Sequence, residues 1–378
     1  MRSALVGLAT ALLAGATLSG SVAAQISAAD QTSTSAPDTA VHLRFAAFVD
    51  GYYAYDFNRP PDIDRSYTTQ PARHNEFNIN LAFVDATLVG PRVRGRLALQ
   101  YGTSVQANYA AEPRHGTISG PDVSRFLQEA TAGYRVAPSL WLDAGIFFSH
   151  IGNEGWISRD QWTYTRSLIA DYTPYYEAGV RATWTPSSRL VATVVLVNGW
   201  QNISETNSGK GGGVRLDYSV TPQLVLSYDD YLGNEQPDSL PSRLRIFHEV
   251  IAKYAPSDRA GIVATFDYGT QQRPQGGHST WTGGAVIARY GVASRVIVNG
   301  RLEYYDDPDK VIVVSPAPDG FRTVGASIGM DVVPAPRLLW RAELRALHAR
   351  DPVFPEHGPT GSFAESDAVV VTSIGLTF

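Results

Sequence analysis

The 378 residues carry 31 Lys and Arg against 36 Asp and Glu, a formal net charge of −5, with no cysteine, 7 Trp and 19 Tyr. Zero cysteines exclude a disulfide scaffold and thiolate metal sites, and the mildly acidic balance leaves no basic surface for nucleic acid. So many amphipathic rings against 2 Met suit a boundary between an apolar and an aqueous phase.

In chain order, Met1-Arg2, the apolar stretch 4–18 and the small residues Val22-Ala23-Ala24 before Gln25 predict a signal peptide over 1–24 that is removed. No later run reaches about 18 consecutive apolar residues, so no helix is expected to span a membrane. Residues 25–40 are Ser, Thr, Asp and Ala without periodicity, which predicts a flexible periplasmic leader. From 41 to 378 the pattern is one domain of extended segments, joined alternately by very short and much longer connections. The short ones, at 90–92, 137–139, 186–188, 221–222, 256–258, 293–294 and 334–336, carry the Pro, Ser and Asp of tight turns. The long ones lie near 58–74, 110–123, 150–173, 201–211, 233–243, 270–279, 307–319 and 350–364. Seven turns and eight loops would join sixteen strands and leave both termini at the turn end. The expected fold class is all-β: a transmembrane antiparallel up-and-down β-barrel with short periplasmic turns and long extracellular loops. Strands of soluble sheets average nearer five or six residues.

Residues 94–109 alternate most sharply. Arg94, Arg96, Gln100, Ser104, Gln106 and Asn108 share one face, and Leu97, Leu99, Tyr101, Val105 and Tyr109 the other. An Arg facing lipid at mid-depth costs roughly 2–4 kcal/mol, and a dry core would be worse for so many charges. The charged face is therefore expected to look into a wet lumen, and sixteen strands leave an aqueous bore. Two segments resist this reading. At 75–90, Asn78 and Asn80 oppose Phe77, Ile79 and Leu81, but Asp85 then falls in the outward register. That asks for a bulge near Phe83 and Val84, or for a place at the turn-side boundary. Residues 190–197 are apolar on both faces.

Pore-lining candidates are Arg94, Arg96, Gln100, Glu129, Glu177, Arg181, Arg215, Asp217, Arg245, Glu249, Asp267, Arg301, Glu303, Arg341, Glu343 and Arg345, with Asp50, Asp143, Asp229 and Lys253 on the same face. Mixed signs predict weak ion selectivity, the alternative role being cross-strand pairing in the wall. The loop 150–173 carries Trp156, Arg159, Asp160, Trp162, Tyr164 and Arg166. It is expected to fold inward as a constriction suited to a sugar-like or anionic solute, with packing on the rim as the alternative. The chain ends on Phe378 after an alternating stretch, which resembles the closing strand of outer-membrane barrels and reads as an assembly signal for the barrel-assembly machinery.

Catalytic and metal chemistry is not expected. The eight His are scattered without His-x-Glu-x-x-His or another metal spacing. Gly-Lys-Gly-Gly-Gly at 209–213 lacks the Ser/Thr and helix of a phosphate loop. No cofactor is expected; an outer-membrane hydrolase would be tested at His150.

Four stretches resemble the putative β-barrel porin-2 family, also described as OmpL-like: GYYAYDFNRPP at 51–61, YTTQPARHNEFN at 67–78, GRLALQYGTSVQANY at 95–109, and EGWISRDQWTYTR at 154–166 running on to Tyr175-Tyr176-Glu177. The resemblance implies an integral porin of the cell outer membrane, one barrel over about 41–378, and a structured first loop at 58–74. It carries no substrate-binding residues over. The expected function is a water-filled channel for passive diffusion of small hydrophilic solutes, bedded in outer-membrane lipid, with a homotrimer left open. The rival is an occluded barrel acting as an adhesin or structural surface protein.

Overall fold

The structure is a computed structural model that describes residues 40–359 and 361–378. The signal peptide and all of the leader but Ala40 lie outside the described residues. Sixteen strands close into one antiparallel barrel in which each strand pairs with its chain neighbours and the last with the first. They are β1 (His42–Asp56), β2 (Phe77–Val89), β3 (Val93–Tyr101), β4 (Leu127–Ala137), β5 (Leu140–Phe148), β6 (Tyr176–Ser187), β7 (Leu190–Val197) and β8 (Gly211–Ser219). Then come β9 (Leu224–Asn234), β10 (Leu244–Ser257), β11 (Ala260–Gln272), β12 (His278–Ala293), β13 (Val296–Asp307), β14 (Phe321–Ala335) and β15 (Leu338–Ala349). A two-residue hairpin, β16 (Phe354–Pro355) and β17 (Phe363–Ala364), sits in the last loop before the closing strand β18 (Ser366–Thr377). β18 pairs with β1 from Phe48↔Thr377 to Asp56↔Val369. The strand count and the alternation of turns and loops are those expected from the sequence.

The wall is two-sided, as the alternation requires. Leu302 and Ile328 are each 66% exposed, whereas Arg301 and Glu303 on either side of Leu302 are buried. Outward-facing Tyr134, Trp184, Tyr218, Tyr254 and Tyr290 all stand near the short-turn ends of even-numbered strands. They form the kind of aromatic belt that marks an apolar–water boundary. Among the described residues no helix is long and apolar enough to cross a membrane.

Two expectations need correction. The segment 94–109 is not one strand: β3 stops at Tyr101, and Thr103–Tyr109 is a helix. Gly102, at φ 146°, makes the corner, and a Cβ there would collide with the Asn80 carbonyl. Val105 and Tyr109 are thus not lipid-facing. One helical turn apart, they share a face and are buried inside, with Tyr109 stacked on Tyr176 at 4.3 Å. The phase change in β2 also comes earlier than expected. Pairing with β1 runs Asp50↔Leu81 and then Gly51↔Ile79, so the extra residue is Asn80. Leu81, Phe83 and Asp85 accordingly face inward, where Asp85 meets Arg96 at 2.6 Å.

Candidate functional site in the barrel lumen

The inner face is a dense network of charges, and nearly all of the candidate lining residues sit in it. Arg94 holds Asp143 through two bonds of 2.7 and 2.5 Å, and Arg181 approaches the same carboxylate at 3.5 Å. Arg96 bridges Asp85 and Glu129. Arg215 reaches Asp217 at 3.0 Å and Asp229 at 3.1 Å. Glu249 lies between Asp229 and Asp267 in the register of β9–β11, three buried carboxylates in a row. Among the described residues Arg245 has no carboxylate at its tip; it donates to Gln271 at 2.8 Å and lies over the Trp200 and Trp281 rings. Gln100 donates to the Arg125 carbonyl at 3.0 Å. Glu177 binds His150, and Arg345 grips Glu303 with two 2.9 Å bonds.

The loop between β5 and β6 does not pack on the rim. It crosses the inside of the cylinder: its start is held by Arg215 of β8, which donates to the His150 and Gly152 carbonyls at 3.0 Å, and residues 158–168 are tied to β1, β13 and β15. Arg301 of β13 donates to the Thr163 hydroxyl, the Thr165 carbonyl and the Thr165 hydroxyl, each at 2.8 Å. That Thr165 hydroxyl donates in turn to Glu343 of β15 at 2.7 Å, and the same carboxylate accepts the Tyr164 and Thr165 amides at 2.7 and 2.8 Å. Glu303 accepts the Leu168 amide at 2.7 Å. Arg341 reaches the Ser158 and Gln161 carbonyls while holding Asp331. On β1, Asp50 accepts from Ser158 at 2.7 Å and from Tyr164 at 3.2 Å. Arg159 donates to the Thr377 hydroxyl at 2.9 Å, lies over Phe48 and Phe83, and approaches Asp160 at 3.6 Å. Arg166 donates within the loop to the Gly155, Tyr164 and Trp156 carbonyls and reaches Gln70 Oε1 of the first loop at 3.3 Å. Trp156 packs edge-on against Tyr109 and Tyr175, and Trp162 packs with Ile251, Val263 and Ile287.

These contacts explain the one strand whose sequence gave no orientation. Val195 and Val197 of β7 face inward and join Ile151, Leu168 and Ile169 of the loop in an apolar cluster. The loop-end mouth is roofed in the same way. Tyr67 of the first loop, Val313 and Ala317 before β14, and Phe354 of β16 all pack into or against that cluster.

Beside the loop, along β3–β8, lies a cavity of about 350 Å³. It runs from Arg135, Pro138 and Ser139 at the short-turn end to His150 and Trp156, lined on the way by Arg94, Arg181 and Arg215. His150, one of its lining residues, has Nδ1 2.9 Å from Glu177 and Nε2 2.7 Å from the Asp230 carbonyl. Two acceptors demand two N–H groups, so the ring is held as imidazolium. Burial opposes that charge, but the Glu177 carboxylate, with the Asp230 carbonyl and Asp229, outweighs it and lifts the His150 pKa above its ordinary value.

Asp171, at the end of the Leu168–Asp171 helix, links this loop to the first one. It accepts from the Thr69 hydroxyl at 2.5 Å and from Tyr175 at 3.3 Å. Burial pushes its carboxyl up from an ordinary 3.8 to about 6, against the pull of the Arg345 and Arg166 charges and the Thr69 bonds. A raised carboxyl pKa means that the docked loop prefers the protonated acid. The contribution is therefore complete below about pH 4 and lost as the pH rises through about 6. The shift corresponds to about 3 kcal/mol. Protection of the loop amides, taken relative to the intrinsic exchange rate at each pH, is expected to rise on acidification across that window in the wild type and to stay flat in Asp171→Asn. Equal pH dependence in both would remove Asp171 from the latch.

The sequence reading missed Arg289 and Asp331 as inward groups. In β12 the inward partners of Arg289 are Ala285 and Ile287, so no polar face announces it. Among the described residues, no group of His, Cys, Asp and Glu is placed to hold a metal ion.

The family model described as putative beta-barrel porin-2, OmpL-like, matches residues 42–378. The chain belongs to that family. Among curated proteins none matches the sequence. Solved structures match the porin in fold. An anion-selective porin from Comamonas acidovorans is 14% identical, with a TM-score of 0.57 over 90% of this chain and 100% of that one. The outer-membrane channel DcaP of Acinetobacter baumannii is 12% identical, with 0.59 over 92% and 100%. OprB of Pseudomonas putida is 10% identical, with 0.58 over 89% and 94%. At such identities the likeness is one of fold. Together, family and fold make the porin an outer-membrane solute channel.

Proposed function

We propose that the porin passes small hydrophilic solutes by passive diffusion along the β3–β8 side of its lumen, with the 150–173 loop setting the aperture. One observation carries the reading: the loop is bonded to β1, β13 and β15, and the cavity lies along the opposite wall. Trp156, which lines the cavity, is the aperture-side residue. Arg159, Asp160, Trp162, Tyr164 and Arg166 hold the loop in place. The lining residues serve mainly to keep the wall hydrated and paired. Their balanced charges give weak overall ion selectivity.

On this reading residues 1–24 are cleaved, 25–40 form a periplasmic leader, and 41–378 are the barrel, integral to the outer membrane with its short turns in the periplasm. Phe378 is 59% exposed beside the β1–β18 seam, its amide bonded to the Ala47 carbonyl at 2.9 Å. An accessible aromatic at that edge suits recognition by the assembly machinery. A homotrimer is in keeping with one fold neighbour, OmpT of Vibrio cholerae, described in a trimer form. The chain acts as a channel and not as an enzyme.

Liposome swelling with sugars of graded size tests the function. Entry of small sugars with a sharp size limit is the expected result. A reconstituted, folded barrel that passes none would leave the occluded surface protein as the correct reading.

A further inference from the structure

Many cations of the lumen are bridged to carboxylates; among the described residues Lys253 and Arg289 are not, and neither of them donates a hydrogen bond to a neighbour as Arg245 does. Lys253 of β10 and Arg289 of β12 both lie over the Trp162 indole, with Lys253 Nζ 5.3 Å and the Arg289 guanidinium carbon 4.5 Å from the ring centre. Between them runs β11, where Gly261 pairs with Arg289. A Cβ on Gly261 would meet the indole edge at 2.6 Å, so the missing side chain is what lets Trp162 approach the wall. Ile251, Val263 and Ile287 grip the other parts of the ring. The cations therefore sit on a fixed aromatic shelf near the Ser257–Ala260 turn, on the short-turn side of the loop.

The chemistry of their free atoms is specific. Arg289 Nε and Nη2 are buried without a hydrogen-bond partner among the described residues. Those two N–H groups form one edge of the guanidinium, the fork that matches two oxygens of a carboxylate or phosphate. The carboxylates whose charge reaches Arg289 are Asp258 and Asp331. Asp331 is already engaged by Arg341 through bonds of 2.8 and 2.9 Å. The charges acting on Lys253 are two further cations, Arg289 and Arg215. Two positive groups held together on a ring, one presenting an unused fork, call for an anion with paired oxygens.

We propose that Lys253 and Arg289, seated on Trp162, form a binding position for the oxyanion head of a small solute, a phosphate or a carboxylate. Arg289 takes two oxygens side-on and Lys253 supplies the second charge. Its consequence for permeation rests on the channel reading above: a solute carrying such a head would dwell at this position beside the loop. Binding itself does not depend on that reading.

Equilibrium dialysis of the folded full-length protein in detergent at low salt, with labelled inorganic phosphate in one arm and acetate in the other, tests it. Saturable uptake of either probe is expected, and the arm that binds identifies the head group. Arg289→Lys keeps the charge but loses the fork and should weaken binding about tenfold. The Lys253→Gln/Arg289→Gln pair should abolish it. Trp162→Leu removes the aromatic shelf while leaving the sequence of every strand unchanged, and it should also lose binding. No saturable uptake by the wild type, or undiminished uptake by the double variant, overturns the proposal. Because uptake is read without conductance, a failure of the channel reading would register separately.

Discussion

Deleting residues 160–167 is expected to raise single-channel conductance severalfold, because aperture rather than wall chemistry limits flow through a bore narrowed at one level. The deletion removes Trp162, Tyr164, Thr165 and Arg166, and with them the loop's bonds to Arg301 and Glu343. It leaves every strand pairing of the wall intact, and Arg301 and Glu343, 3.8 Å apart, can turn to each other. Planar-bilayer recordings check it, with heat-modifiable mobility on gels as the control for folding. A folded barrel of unchanged conductance would take the aperture away from the loop.

Arg301→Ala is expected to loosen the same loop without shortening it. This one side chain donates to Thr163 and Thr165 at three points and lies 3.2 Å from Glu303. Removing one partner of a buried, hydrogen-bonded charge pair costs about 3–5 kcal/mol. Here that cost falls on docking of the loop, since the ladder of β13 needs only its backbone. The expected signature is rapid current fluctuation between two levels, with amide exchange accelerated over 163–167 and unchanged in the strands. Lysine should not rescue it, because an ammonium lacks the planar fork that reaches two residues at once. A quiet channel with protected loop amides would show that Glu343 and Asp50 hold the loop without Arg301.

The wall was legible from the chain because each strand must satisfy two solvents at once. Period-two alternation and Pro- or Ser-bearing turns recur sixteen strands long, and the few ambiguous segments are local. Thr103–Tyr109 was misread for a definable reason: Val105 and Tyr109 have equal parity on a strand and are also one helical turn apart, so both periods place them together. The Asn80 bulge lay a few residues before the place that Asp85 suggested, because only pairing with β1 fixes where an extra residue is absorbed. Inward Arg289 and Val195 were hidden by apolar neighbours, whose reason for facing inward is the loop itself. The loop's composition was visible, but its partners were not. Gly261 reads as an ordinary strand glycine until register sets it opposite Arg289 and under an indole.

The loop's anchors also impose a timetable. Arg159 is fastened to Thr377, and Ser158 to Asp50, so two of its holdfasts are supplied by the last and the first strands of the barrel. Neither Thr377 nor the β1–β18 seam exists as a platform until the final strand has zipped to the first. Full anchoring of the loop therefore requires the closed barrel.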